Sequence, residues 1–378
     1  MNSPKKLKFS MCCVLLCSLS FVLCSSIGAE EKREVSQYEK RLQALANRYS
    51  HAKAGTVDFP QELLAVQYIN EGFKFLGKNN YELAGESAKM ALSYDPKSPP
   101  AHELAGDVAY LTQNLEDANQ HYRAAFQIEP SPRLKAKLEK LIRETGTEKD
   151  LNTVEEVHFS IRFDRNQSEY EGFELRTILN DAYLGIAREM AHSLNHKTVV
   201  LFYDSEKFSQ AANLPHWVGG LFDGKVRLPM HGREFGENQL KAVTRHEVTH
   251  VFLNDISRGK APVWLHEGLA VYQQNKIDPL AANVTHFLNK PEGRIPFAEL
   301  MDSAAFDRNK NNQDWVGKFY IQSYDVVSYL IDRYGMFNIK QLALSFGEGK
   351  GVEEAVQEVY KMSVGKMERE WIQARAYP

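Results

Sequence analysis

His246-Glu247-Val248-Thr249-His250 is followed along the chain by Trp264-Leu265-His266-Glu267-Gly268-Leu269-Ala270. On a helix, residues four apart lie one above the other on the same face, so His246 and His250 can bring both imidazoles to one ion. Glu247 then stands beside that ion's open coordination position. A zinc ion that assists hydrolysis takes three protein ligands and a water, with a base close to the water. Glu267, on a second predicted helix, is the candidate third ligand. Together the two stretches imply one zinc per chain, with Glu247 as the base of a peptide hydrolysis.

The bland alternative is an amphipathic helix whose histidines face solvent. Over residues 237–254 the apolar positions are Leu240, Val243, Val248, Val251 and Phe252. His246, Glu247 and His250 interrupt that surface instead of keeping to the polar side. Polar groups turned toward a core need partners, and a metal ion supplies them.

The pair HEVTH and WLHEGLA resembles the gluzincin class of metallopeptidases, which includes thermolysin and the alanyl aminopeptidases. It is most similar to the bacterial peptidase MA-like domains that carry W-L-x-E-G-x-A. The resemblance covers roughly residues 155–375. It implies zinc ligands at His246, His250 and Glu267 and a general base at Glu247. In the aminopeptidase branch, a tyrosine opening a similar helix donates a hydrogen bond to the oxyanion. Tyr320, in Phe319-Tyr320-Ile321-Gln322-Ser323-Tyr324, is the match, with Tyr324 one turn on as second choice; the competing reading is a core tyrosine.

The sequence departs from the aminopeptidases upstream, where they carry Gly-x-Met-Glu-Asn to hold a free amino terminus. Here the stretch is Trp217-Val218-Gly219-Gly220-Leu221-Phe222-Asp223-Gly224-Lys225-Val226-Arg227-Leu228-Pro229. Asp223-Gly224 is a hairpin-turn signal. Val226, Arg227 and Leu228 are expected to form an edge strand to which an extended peptide substrate adds by backbone hydrogen bonds. Lack of the anchor favours an endopeptidase, with Asp223 and Glu234 left open as amine partners in a different geometry. Other residues are weighed here too. His266 projects about 100° around the helix from Glu267 and is expected to miss the ion. His216 and His231 are either cleft-lining donors or solvated loop residues. Asn254 and Asp255 either orient a zinc histidine or end the helix.

The segment from Met1 to Ala29 is a separate object. Lys5, Lys6 and Lys8 precede an apolar run, Met11–Cys24, and then Ser25-Ser26-Ile27-Gly28-Ala29. That order is a secretory signal cleaved after Ala29, implying export to a bacterial periplasm or cell envelope, or secretion. Lipidation at Cys24 is a second reading and an uncleaved membrane anchor a third. All four cysteines lie in this segment, so the mature chain has no disulfide or thiol chemistry. Without Lys5, Lys6 and Lys8 the net charge moves from −3 to about −6, which gives no electrostatic case for nucleic acid or an anionic membrane.

Gly72 and Gly106, Ala84 and Ala118, Ala88 and Tyr122, Ala91 and Ala125, and Pro96 and Pro130 are each 34 apart. Small residues at that period, closed by proline, form the tetratricopeptide pattern, a surface for a protein partner. An ordinary pair of helical hairpins is the alternative. Residues 31–50 and 132–144 are expected to add helices to the stack. Residues 145–152 are read as a linker. Beyond it, residues 154–163 alternate as one strand, 174–194 read as a helix, and Thr198–Tyr203 as a strand. The expected fold is α+β: an all-α repeat domain over residues 30–144, then a catalytic domain over 153–378 with a small mixed sheet and a helical lobe. Two other functions fit the same features. One is an inactive repeat scaffold or envelope assembly factor; the other is a zinc hydrolase acting on a non-peptide bond.

Overall fold

Asn80 and Asn114, which hold equivalent places in the repeat, each start the second helix of a hairpin in the same way. The computed structural model describes residues 60–148, 151–164, 169–203, 220–229, 236–281 and 283–376, with a few residues between 38 and 44. The segment from Met1 to Ala29, most of residues 31–50, His216, His231 and Glu234 lie outside the described residues. The chain divides into two compact units, one spanning residues 27–150 and the other including residues 151–378.

In the first unit, α1 (Gln61–Leu76) and α2 (Tyr81–Tyr94) form one hairpin, and α3 (Pro99–Leu111) and α4 (Leu115–Ile128) the next. Asn79 and Gln113 each turn the chain through positive φ, at 55° and 65°. Asn80 and Asn114 then cap α2 and α4, their side chains accepting from Leu83 N–H and Asp117 N–H. Ser98 caps α3, with Pro99 at its first position. Between the helices, small residues do the packing: Ala84, Ala88, Ala91, Ala101, Ala118 and Ala125 are buried. A Cβ on Gly106 would lie 2.5 Å from the Tyr122 ring, and one on Gly72 would overlap Leu104, so each glycine sets how closely its neighbours approach.

α5 (Pro132–Glu148) follows, and here the expected linker is corrected. The helix continues to Glu148, past Glu144, and within it Thr145 and Thr147 donate their hydroxyls to the Leu141 and Glu144 carbonyls. The sheet then starts at Leu151. The strand expected over 154–163 is in fact a hairpin of β1 (Leu151–Glu155) and β2 (Phe159–Asp164), antiparallel, with Glu155 opposite Ser160. The turn between them leaves Val157 79% exposed. Period-two alternation runs through that turn without a glycine or proline to mark it.

α6 (Glu169–Met190) carries the chain across to β3 (Thr198–Tyr203), parallel to β2 and buried along its whole length. The five-stranded mixed sheet has the order β1-β2-β3-β5-β4, where β4 is Leu221–Phe222 and β5 is Val226–Pro229. Asp223-Gly224 makes the predicted hairpin, with Gly224 at φ 98° and Phe222 opposite Val226. The expectation that Val226, Arg227 and Leu228 form an edge strand is corrected. β5 pairs with β3 on one side and, at Val226 and Arg227, with β4 on the other. All three residues are buried, so they cannot receive an added strand there. The outer strands of the described sheet are β1 and β4.

The rest is helical: α7 (Glu237–Ser257), α8 (Val263–Asn275), α9 (Phe297–Leu300), α10 (Ser303–Asn309), α11 (Gln313–Tyr334), α12 (Met336–Gly347), α13 (Val352–Tyr360) and α14 (Val364–Ala376). One core joins β2, β3, β5 and α6 to α7, α8, α11 and α12, through residues such as Phe159, Ile186, Phe202, Phe252, Trp264 and Phe346. The fold is therefore α+β, mostly helical with one small mixed sheet. No described helix is long and apolar enough to cross a membrane.

Candidate metal centre

α7 is buried on nearly every side, which an amphipathic surface helix would not be. Leu240, Val243, Val248, Val251 and Phe252 pack into the core, while Thr244, His246, Glu247, Thr249 and His250 are also fully buried. Arg258, with φ 53°, and Gly259, with φ 70°, end the helix; Gly259 N–H donates to the Asn254 carbonyl at 2.8 Å. Pro262 then starts α8, which folds back onto α7. This return brings Glu267 over the two histidines.

The nitrogen and oxygen ligand atoms of His246, His250 and Glu267 all lie within 4.8 Å of one another. Nε2 of His246 stands 3.6 Å from Glu267 Oε2, and Nε2 of His250 stands 3.8 Å from the same oxygen. These separations are too long for hydrogen bonds. They are close to the roughly 3.3–3.6 Å expected between two ligands of one tetrahedral zinc. The imidazoles meet edge to face, with centroids 4.8 Å apart.

Burial acts against every charge in the cluster. It pushes the Glu247 carboxyl well above the usual carboxylate range, with further repulsion from Glu267 and Asp223. Glu267 is raised by burial too, opposed by His246 and by the nearby Tyr320 hydroxyl. His250 is held well below the ordinary histidine value by burial and by His246 and His266. His246 Nε2 and both Glu247 oxygens make no hydrogen bond among the described residues. Buried polar atoms left in this way are costly, and a cation between them would offset the cost. Two imidazole nitrogens and a carboxylate oxygen are donors that zinc accepts, so the residues fit the ion.

α11 begins at Gln313, so Tyr320 sits in its second turn instead of opening it. Gly268, beside Glu267, explains how Tyr320 arrives. A Cβ there would lie 2.5 Å from the Ser323 carbonyl oxygen, so only glycine lets α8 and α11 meet at backbone distance. Tyr320 is fully buried between Glu267 and the rings of Phe306 and Phe319. The site and core readings of this residue thus both describe its surroundings. Tyr324 points elsewhere, accepting from Asn275 Nδ2 at 3.1 Å.

The remaining candidates separate. Asp223 is taken up by Arg227, side chain to side chain. Asp255 meets His192 Nε2 at 2.7 Å and orients neither histidine of the cluster. His266 sets its ring 5.5 Å from that of His250, and burial lowers it to about 3, a neutral packing residue.

Two residues of the site were not among the candidates. Gln274, at the end of α8, accepts from His246 Nδ1 at 2.9 Å. Gly220 passes so close to Glu247 that a Cβ there would lie 2.6 Å from Oε1. The Gly219-Gly220 pair just before the hairpin was the available signal for the second. Nothing in the local pattern pointed to the first.

No curated protein matches the chain significantly. Residues 181–376, which run from α6 to the end of α14 and contain the whole cluster, match the family model of the Peptidase MA superfamily, a typically metal-dependent group of peptidases. On that match over more than half its length, the chain belongs to the Peptidase MA superfamily.

Proposed function

We propose that the protein is an exported, zinc-dependent endopeptidase of the gluzincin type, with tetratricopeptide repeats that bind a partner or a substrate. The single observation that carries the reading is the convergence of His246, His250 and Glu267 in one buried cluster with Glu247 beside it. When bound there, zinc would polarise the peptide carbonyl and acidify a water. The chain's own residues do the rest. Glu247 takes a proton from the attacking water as oxygen bonds to the carbonyl carbon. It then delivers that proton to the leaving nitrogen as the C–N bond breaks. Tyr320 donates to the oxyanion formed on the carbonyl oxygen.

An extended peptide would add along β4, whose neighbour Gly220 already touches the Glu247 carboxylate. The pairing of Asp223 with Arg227 supports internal cleavage, because that carboxylate is committed to a guanidinium instead of awaiting a substrate amine. The signal-like segment from Met1 to Ala29 supports a periplasmic or envelope location.

The test is zinc per chain in the purified mature protein, residues 30–378, beside His246→Ala. Close to one zinc in the parent and little in the variant is expected. A parent that takes up no zinc when folded overturns the hydrolytic mechanism and leaves the repeat-bearing scaffold.

A further inference from the structure

We infer that Gln274 is a positioning residue: its amide oxygen fixes His246 as the Nδ1–H tautomer and turns the Nε2 lone pair toward Glu267. The inference rests on the metal reading above for its purpose, but its geometry stands by itself. An amide oxygen can only accept, so the 2.9 Å contact puts the imidazole proton on Nδ1. Nε2 is then the unprotonated nitrogen, and it is the atom that lies 3.6 Å from Glu267 Oε2. The other tautomer would place two acceptors against each other at Gln274 and turn an N–H into the cluster.

The end of α8 is itself held. Arg245 and His246, consecutive on α7, bond to Gln273 and Gln274, consecutive on α8: Arg245 Nε donates to Gln273 Oε1 at 3.0 Å. Gln273 Nε2 donates in turn to Glu189 Oε2 at 2.7 Å, and Lys276 and Arg245 also meet Glu189. This network connects α6, α7 and the last turn of α8. It fixes where the Gln274 amide can stand.

A neutral partner has a chemical consequence. A carboxylate in the same place would add a third acid to a buried cluster that already contains Glu247 and Glu267. It would also make the imidazole a stronger donor and hold the ion more firmly. The glutamine orients His246 without either effect.

The experiment uses the full mature chain and two readouts. Long-range proton–nitrogen correlation spectra report the His246 tautomer in metal-free protein, and competition with a chromophoric chelator reports the Zn2+ dissociation constant. Gln274→Met keeps length and volume but removes the acceptor. It is expected to lose the pure Nδ1–H form and to bind Zn2+ about 10- to 100-fold more weakly. Gln274→Glu is expected to keep the tautomer and bind Zn2+ at least as tightly as the parent. If Gln274→Met fails to fold, the tautomer and affinity of Gln274→Glu still decide. Gln273→Met controls for loosening of α8, with a lower melting temperature and the parent tautomer expected. A folded Gln274→Met with parent tautomer and affinity overturns the proposal. So does a Gln273→Met that reproduces the same losses, or a Gln274→Glu with weaker binding. A parent that shows the Nδ1–H form but takes up no Zn2+ would sink the hydrolase reading and leave the orienting role of Gln274 standing.

Discussion

The two units of this chain use glycine for the same geometric purpose and bury opposite chemistry behind it. In the repeat unit, Gly72 and Gly106 bring helices together over alanine, leucine and tyrosine. In the peptidase unit, Gly268 and Gly220 bring backbone up to an acid-rich cluster, against α11 and against Glu247. Close approach in the first case excludes water from apolar surface, which stabilises the fold. In the second it helps to bury two carboxylates and three imidazoles, which costs free energy until a cation is present. Residues there are held in place against their own preference for water, as expected where chemistry outranks stability.

The sharpest way to break this contrast is to remove chemistry from the cluster and leave its shape alone. Glu247→Gln is nearly isosteric. It should keep zinc bound, while the turnover rate on an unfolded protein substrate falls by about 10²–10⁴-fold. Parent-like turnover would show that Glu247 is buried for a structural reason. Tyr320→Phe comes next, with turnover lower by about 10²-fold for one lost oxyanion donor and zinc content unchanged. A fall in melting temperature with normal turnover would make Tyr320 a core residue like its neighbours Phe306 and Phe319.

The same contrast governs what the sequence made legible. The repeat helices could be read because each has a counterpart one repeat period away, and the caps at Asn80 and Asn114 follow the same period. Two members of the candidate metal cluster could be read because a helix fixes the geometry of His246 and His250 locally. Pairing between distant elements could not. β4 holds only Leu221 and Phe222, and no local pattern says that it, instead of β5, takes the outside of the sheet. The hydrogen bond from His246 to Gln274 joins two separate helices, and a motif to an ordinary-looking glutamine. Threonines and a charged stretch suggested a linker after Glu144, yet the helix runs on to Glu148 with Thr145 and Thr147 donating their hydroxyls to carbonyls within it.

Adding one methyl group in each unit tests the contrast at intermediate size. Gly106→Ala pushes on the Tyr122 ring, and Gly268→Ala pushes on the Ser323 carbonyl, which is backbone and cannot swing aside. Each should cost about 1–3 kcal/mol by overpacking, seen as a lower urea midpoint. Only Gly268→Ala should also weaken zinc binding and turnover, because it separates Glu267 from Tyr320. Equal effects of both changes on zinc would mean that the two units do not divide stability and chemistry in this way.

The smallest effect is electrostatic and belongs to the repeat unit. His102 Nε2 stands 3.1 Å from the Pro96 carbonyl, which can only accept, so His102 Nδ1 is free of its proton. It therefore accepts from His121 Nδ1 at 3.0 Å, and a second proton on this pair would set two cations side by side. Burial first, and then the His102 ring, lower His121 below its ordinary 6.5. The folded state thus binds the proton less readily than the unfolded one. Stability should be complete above about pH 6.5 and decline as pH falls from there toward the lower folded value. With His121 only half-buried, the loss should stay below about 1 kcal/mol. His158, His196, His250 and His266 are lowered by burial as well, so the melting temperature of the parent alone would mix five groups. The difference between the parent and His121→Gln between pH 7.5 and 5.5 isolates one of them. If the two melting curves shift in parallel, the histidine pair contributes nothing, and the acid sensitivity belongs to the peptidase unit.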